Sequence, residues 1–275
     1  MFDILFWIFF ILFFFYPTIQ KRYIEWKRYG KIKEIERKYN ARVVTMIHRM
    51  ETLSIFGIPV FKYITIEDAE SILEAIRETP DDQTLMLIIH TPGGIALAAQ
   101  QIALALKKRR GKTIVVIPHY AMSGGTLIAL AADEIWMDEN AVLGPVDPQL
   151  NIGTMVIPAA SLVKAVEKKK EKVPTKYLIL KDIAEKALQQ IREFLYELLK
   201  DKYDKETVKK IVEELTSGKY THDYPITAKK LKELGLNVKT EVPIEIYELL
   251  ELYPQPELLA SVEYIKRRRI NKEKI

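Results

Sequence analysis

The 275-residue sequence contains no cysteine, which excludes a disulfide framework, a thiolate metal centre and a cysteine nucleophile. Histidine is almost as scarce. The four present are His48, His90, His119 and His222, and no two share the spacing that would set paired ligands on one helix face, so neither a metal nor another cofactor is expected. Low-complexity tracts and internal repeats are absent beyond the first apolar run, and 48% hydrophobic residues exclude wholesale disorder. The formal net charge is only +5, and it is unevenly placed. Eight basic residues, from Lys21 to Lys38, crowd residues 21–40, and Lys266 with Arg267, Arg268 and Arg269 make the tail basic. What lies between the ends is slightly acidic, which argues against a nucleic-acid partner.

Residues 1–19 (MFDILFWIFFILFFFYPTI) carry Asp3 as their only charge. As a helix they would reach roughly 28 Å, close to the hydrocarbon thickness of a bilayer. The acidic start and the Tyr16-Pro17-Thr18 end lack the basic lead and small-residue site of a cleaved signal peptide. A single membrane span is therefore expected, with Trp7, Tyr16, Tyr23 and Trp26 at its interfaces. The basic cluster beyond it places the bulk of the chain in the cytoplasm and offers contacts to anionic lipid. Residues 20–40 are expected to continue as a basic juxtamembrane helix, residues 41–255 to form the globular domain, and residues 256–275 to be a basic tail.

From Ala41 the texture is that of alternating strands and helices, an α/β pattern. Residues 42–48, 55–60, Thr84–His90, 113–118 and Glu134–Met137 are expected as strands. Helices are expected over 65–78, capped by Thr65, and over 95–109 and 124–133. Past residue 158 helix dominates, over 158–171, 179–200, 204–217, 226–235 and 243–252.

Two glycine-bearing turns end consecutive expected strands, the end at which open α/β sheets place ligands. One is His90-Thr91-Pro92-Gly93-Gly94. The other is His119-Tyr120-Ala121-Met122-Ser123-Gly124-Gly125-Thr126. Ser123 there precedes a helix amino terminus, where glycine lets backbone approach a substrate and the helix dipole favours developing negative charge. That arrangement suits a serine nucleophile, with N–H groups of Gly93, Gly94 and Gly124 around an oxyanion. Taken singly, each turn also reads as an ordinary cap or bend.

The stretches HTPGG, AMSGGTLIALAADEIWMDENAVLGPVDPQL and GKYTHDYPITAKKLKELGL resemble the serine dehydrogenase proteinase family, membrane-anchored members of the Clp-protease/crotonase superfamily related to signal-peptide-peptidase-type proteases. The resemblance runs over most of residues 1–240. It implies a Clp/crotonase-like fold of repeated ββα units, a homo-oligomer, and hydrolysis of polypeptides, membrane proteins among them, with Ser123 as nucleophile and Gly93, Gly94 and Gly124 as the oxyanion region.

The general base stays open. A Clp-type triad carries a His about 25 residues after its serine, and Val142–Gln149 contains none. In the signal-peptide-peptidase branch a lysine takes the role, and Lys164, on the apolar side of its helix, stands in the corresponding region; a surface lysine is the rival interpretation. His222 and Asp223 lie where Clp-type proteases carry their triad Asp, as an alternative base or orienter, against a plain capping role. Two other classes also fit the same fold: an enzyme using the oxyanion site on a coenzyme A thioester, and a catalytically silent membrane scaffold.

Overall fold

The computed structural model describes residues 2–48, 53–55, 58–60, 62–169 and 172–253, with only some side chains of 2–19 and none of 53–60. The expected tail, 256–275, lies outside the described residues. In chain order the elements begin with α1 (Phe2–Tyr39), β1 (Ala41–Ile47), β2 (Leu53–Ile55), β3 (Ile58–Val60), α2 (Ile66–Glu78), β4 (Thr84–His90) and α3 (Ala96–Lys108). Then come β5 (Thr113–Ile117), β6 (Tyr120–Ala121), α4 (Gly124–Ala131), β7 (Glu134–Met137), β8 (Val142–Leu143), β9 (Gln149–Ile152) and β10 (Met155–Pro158). The last third is α5 (Ala159–Lys168), α6 (Thr175–Leu199), α7 (Lys205–Thr216), β11 (Ile226–Thr227), α8 (Ala228–Glu233), β12 (Val238–Lys239) and α9 (Ile244–Glu251).

A five-stranded parallel sheet of order β1-β4-β5-β7-β12 forms the centre. Its central strands β4 and β5 are buried on both faces, as a sheet covered on both sides requires. In β4, Leu85, Leu87 and Ile89 enter one core with α2, α3 and α4, while Met86 and Ile88 enter a second with α1 and α9. The period-two alternation of a strand thus divides one buried run between two layers.

Beyond the carboxyl ends of β4 and β5 a second, smaller sheet, β11-β8-β6, covers the strand tips. The run β5, β6, α4 is a ββα unit. After β4, bridges at Thr91 and Gly94 do the work of the short second strand before α3 begins. Thr65 caps α2 in a reciprocal box with Asp68, which fixes where that helix starts.

Residues 20–40 continue from the apolar run as expected, because α1 is one continuous helix. It runs back along β1: Glu36 Oε1 accepts from the N–H of Val43 at 3.2 Å, while the earlier Arg28 stacks on Tyr253, whose hydroxyl is 2.6 Å from Thr45 Oγ1. Residues preceding Arg28 therefore extend past the carboxyl end of β1. Among the described residues no helix is long and apolar enough to cross a membrane. The span expected over 1–19 is not supported on that criterion; most side chains of that stretch lie outside the described residues.

Candidate active site

The two glycine turns meet. Thr91 and Ala121 form a parallel bridge, with Thr91 N–H donating to Tyr120 O at 3.2 Å and Met122 N–H to Thr91 O at 2.9 Å. Behind them the buried Thr126 hydroxyl lies within hydrogen-bond distance of Ala121 O and Gly144 O and accepts from Gly144 N–H, which pins the second turn to the loop after β8. A β-carbon placed on Gly93 would come within 2.9 Å of Ser123 Cβ and 3.0 Å of Met122 O. Only glycine allows this approach, and its φ of +105° is one that other residues resist.

Ser123 is held at φ 49°, ψ −110°, the left-handed side of the backbone map that a residue with a β-carbon adopts at a cost. It occupies the cap position of α4 without spending its hydroxyl on a cap hydrogen bond. The side chain is thereby presented at the amino end of a helix buried along its whole length.

The N–H groups of the two turns differ in their partners. Gly93 N–H donates to Thr91 Oγ1 at 3.2 Å, and Gly93 O accepts from Ile64 N–H at 2.8 Å. Ile95 N–H in turn donates to Ile64 O, so the Ile64–Gly94 bridge turns the peptide N–H of Gly94 to the opposite side. Gly124 N–H is a first-turn donor of α4 with no partner in its own helix. A β-carbon on Gly124 would lie 3.8 Å from Gly94 N. Of the three expected glycines, Gly94 and Gly124 offer open donors, and Gly93 supplies the close approach.

Ser123, Gly94 and Gly124 line a cleft of about 650 Å³ whose other wall carries Asp147, Gln149 and His222. Antiparallel pairing of β8 with β11 sets Leu143 opposite Ile226. Carried four residues onward, the same register sets Asp147 opposite His222, and their side chains meet with Oδ1 to Nδ1 at 2.8 Å. Asp147 is 2% exposed, and its other oxygen accepts from Gln149 Nε2 at 2.6 Å. A carboxylate only accepts, so Nδ1 of His222 is the nitrogen that donates to Asp147, and in the neutral ring this tautomer keeps the lone pair on Nε2.

Lys164 is elsewhere. It is exposed on α5, does not line the cleft, and donates to Gly218 O at 3.3 Å. Asp223 is exposed too; a hydrogen bond with the Thr221 side chain holds its carboxyl below the usual carboxylate range. Thr227, not Asp223, caps α8. Sequence reasoning missed Asp147, the buried carboxylate between Pro145 and Pro148. The search there was for a histidine, and the signal to follow was a lone acid in an otherwise apolar loop. Among the described residues no group of His, Asp and Glu side chains could hold a metal ion.

The profile of the family described as ClpP-like SDH-type serine proteinase matches residues 1–274. The chain belongs to that family. This SDH-type chain is 60% identical to the uncharacterized protein MJ1495 of Methanocaldococcus jannaschii over 92% of its own length and 86% of that protein's. It is 56% identical to MJ0137 of the same organism, over 92% and 88%. Among solved structures it is similar to the 1510-N membrane-bound stomatin-specific protease, a mutant in complex with a substrate peptide, at 18% identity and TM-score 0.46, covering 76% of this chain and 77% of that one. It is also similar to ClpP1 from Listeria monocytogenes, at 16% identity and TM-score 0.45, covering 77% and 98%. The mixed α/β fold with its parallel sheet is that of a ClpP-like protein.

Proposed function

We propose that this SDH-type proteinase hydrolyses polypeptides through an acyl-enzyme formed on Ser123. The observation that carries the proposal is a strained serine at a helix amino terminus, with its hydroxyl uncommitted, in one cleft with the N–H groups of Gly94 and Gly124. The serine oxygen attacks the peptide carbonyl, the two N–H groups receive the negative charge on its oxygen, and a base carries the serine proton to the leaving amine.

His222 is the base that the cleft geometry favours, with Asp147 fixing its tautomer and orientation. A Ser123–Lys164 dyad is the second reading. Its support is the resemblance to signal-peptide-peptidase-type proteases alone, since the Lys164 ammonium donates to Gly218 O and does not line the cleft. Against it, a lysine base needs a desolvated amine, and Lys164 is exposed. Purified protein carrying His222→Ala or Lys164→Ala, assayed on fluorescent casein, separates the two. Loss with the first alone supports the His base; loss with the second alone supports the dyad.

The proposal extends to a membrane anchor and a single-pass topology, with the globular domain in the cytoplasm. Its support is the apolar run of residues 1–19, the basic cluster after it, and the exposure of Trp7, Phe10, Phe15, Tyr16 and Ile19 on α1. Because α1 runs back along β1, such an anchor would leave from the end of the sheet that carries the cleft. Assembly with further copies is supported by exposed apolar residues on α6 and the β9–β10 hairpin, Leu178, Ile179, Met155 and Val156 among them.

A further inference from the structure

One chain of polar groups runs from the start of α2 to the turn beside Ser123. His48 follows β1, and its backbone N–H donates to His90 O at 2.7 Å, extending the β1–β4 ladder to the point where the Thr91 turn begins. Its ring is buried. Nε2 lies 3.2 Å from Asp68 Oδ2 and Nδ1 lies 3.0 Å from Thr91 Oγ1. Asp68 is itself fixed by the capping box of α2, through Thr65 N–H at 2.8 Å.

Burial holds the His48 ring below the usual imidazole range, against the opposing charge and hydrogen bond of Asp68 and with a small push from Lys62 in the same direction. Burial thus favours the neutral form of the ring. In the neutral ring donor logic then orders the links, with the Thr91 hydroxyl nearer to Nδ1, at 3.0 Å, than to Gly93 O, at 3.4 Å. The carboxylate accepts from Nε2–H, so Nδ1 accepts from the Thr91 hydroxyl, and Thr91 Oγ1 accepts from Gly93 N–H.

We infer that His48, held by Asp68, is a positioning residue that acts through Thr91 to fix the Gly93–Gly94 turn against Ser123. The inference rests on the oxyanion reading of Gly94 given above. Two routes from one segment converge on the turn: the peptide of Ile64 clamps Gly93 O and Ile95 N–H, and His48 clamps Gly93 N–H through Thr91. With both in place, Gly94 N–H has one direction available. His48 does not line the cleft, so its effect belongs to the transition state rather than to substrate binding. Misplacing a catalytic group by about 1 Å can cost on the order of a hundredfold in rate.

The test compares full-length Thr91→Val, which keeps the shape and removes the hydroxyl, with Thr91→Ser, which keeps the hydroxyl, and with His48→Phe and the His48→Phe/Thr91→Val double variant. Casein hydrolysis is expected to lose about tenfold to a hundredfold in kcat with Thr91→Val, with KM within about twofold, and most of kcat is expected to return with Thr91→Ser. The double variant is expected to cost no more than the worse single one, since both cut one chain. Amide exchange over residues 91–95, read independently of turnover, is expected to rise in Thr91→Val and not in Thr91→Ser. Parent-like kcat and exchange in Thr91→Val, or additive losses in the double variant, overturn the inference. Ser123→Ala, measured in parallel, keeps the two readings apart: its retention of activity removes the nucleophile assignment, while the exchange data still decide the role of His48.

Discussion

Asp147 Oδ1 and His222 Nδ1 meet at 2.8 Å across 75 residues of sequence, at the positions to which the Leu143–Ile226 register of two very short strands points. The pair lines the same cleft as Ser123. The acid, the imidazole and the hydroxyl occur in the chain order Ser123, Asp147, His222.

Breaking that pair should act on rate. His222→Ala is expected to lower kcat about a thousandfold, and Asp147→Asn, which leaves a donor or the wrong tautomer facing the ring, about a hundredfold or more. Lys164→Ala is expected to stay within about threefold of the parent. Steady-state hydrolysis of a fluorescent casein checks all three, and a large loss confined to Lys164→Ala would reverse the order of the two bases.

Gly94→Ala tests the close approach at the turn. The new β-carbon would lie 2.3 Å from Ile64 N and 2.4 Å from Ile64 O, backbone atoms of the clamp itself. A loss of about 1–3 kcal/mol is expected, together with most activity. Denaturant unfolding reads the first and casein hydrolysis the second; an unchanged midpoint contradicts the packing described.

Glu134 links three positions at the amino end of the sheet. Burial acts to raise its carboxyl, but hydrogen bonds from Lys112, Lys239 and Trp136, with the charge of Lys112, outweigh it and bring the value from 4.5 to about 2. A carboxyl depressed in the folded state contributes stability above the unfolded value and loses it as pH falls from 4.5 toward 2. With both lysines about half exposed, the contribution is discounted to about 2 kcal/mol. Glu134→Gln should therefore lose stability at pH 7 and narrow its gap to the parent as pH falls through that window. Equal gaps at pH 7 and pH 3 would contradict this.

Membrane attachment is checked by extracting membranes of expressing cells at alkaline pH in carbonate. The full chain is expected to stay with the lipid pellet. Complete release to the supernatant contradicts the anchor.

Long, regular segments were legible in the sequence. Thr84–His90 and Glu134–Met137 are strands at the expected bounds, and Thr65 caps α2 as expected, because burial on two faces and a polar cap each leave a local mark. The Ser123 and Gly93–Gly94 turns could be read for the same reason. The Asp147–His222 pair could not: β8 and β11 have two residues each, too few for any period, and the pairing is fixed by contacts far apart in the chain. His48 read as one more strand residue, since its partners Asp68 and Thr91 reach it only in the folded chain. Lys164 sits on the amphipathic α5, but the neighbours that would desolvate an apolar-side lysine are not packed around it, and its side chain stays in solvent.

The most direct measurement is hydrolysis of fluorescent casein by the detergent-solubilised parent and its Ser123→Ala form, purified in parallel and matched by circular dichroism. The account predicts that the parent releases fluorescent peptides and that Ser123→Ala, folded alike, loses at least a thousandfold in rate. Equal activity in the two would contradict the assignment of Ser123 as nucleophile.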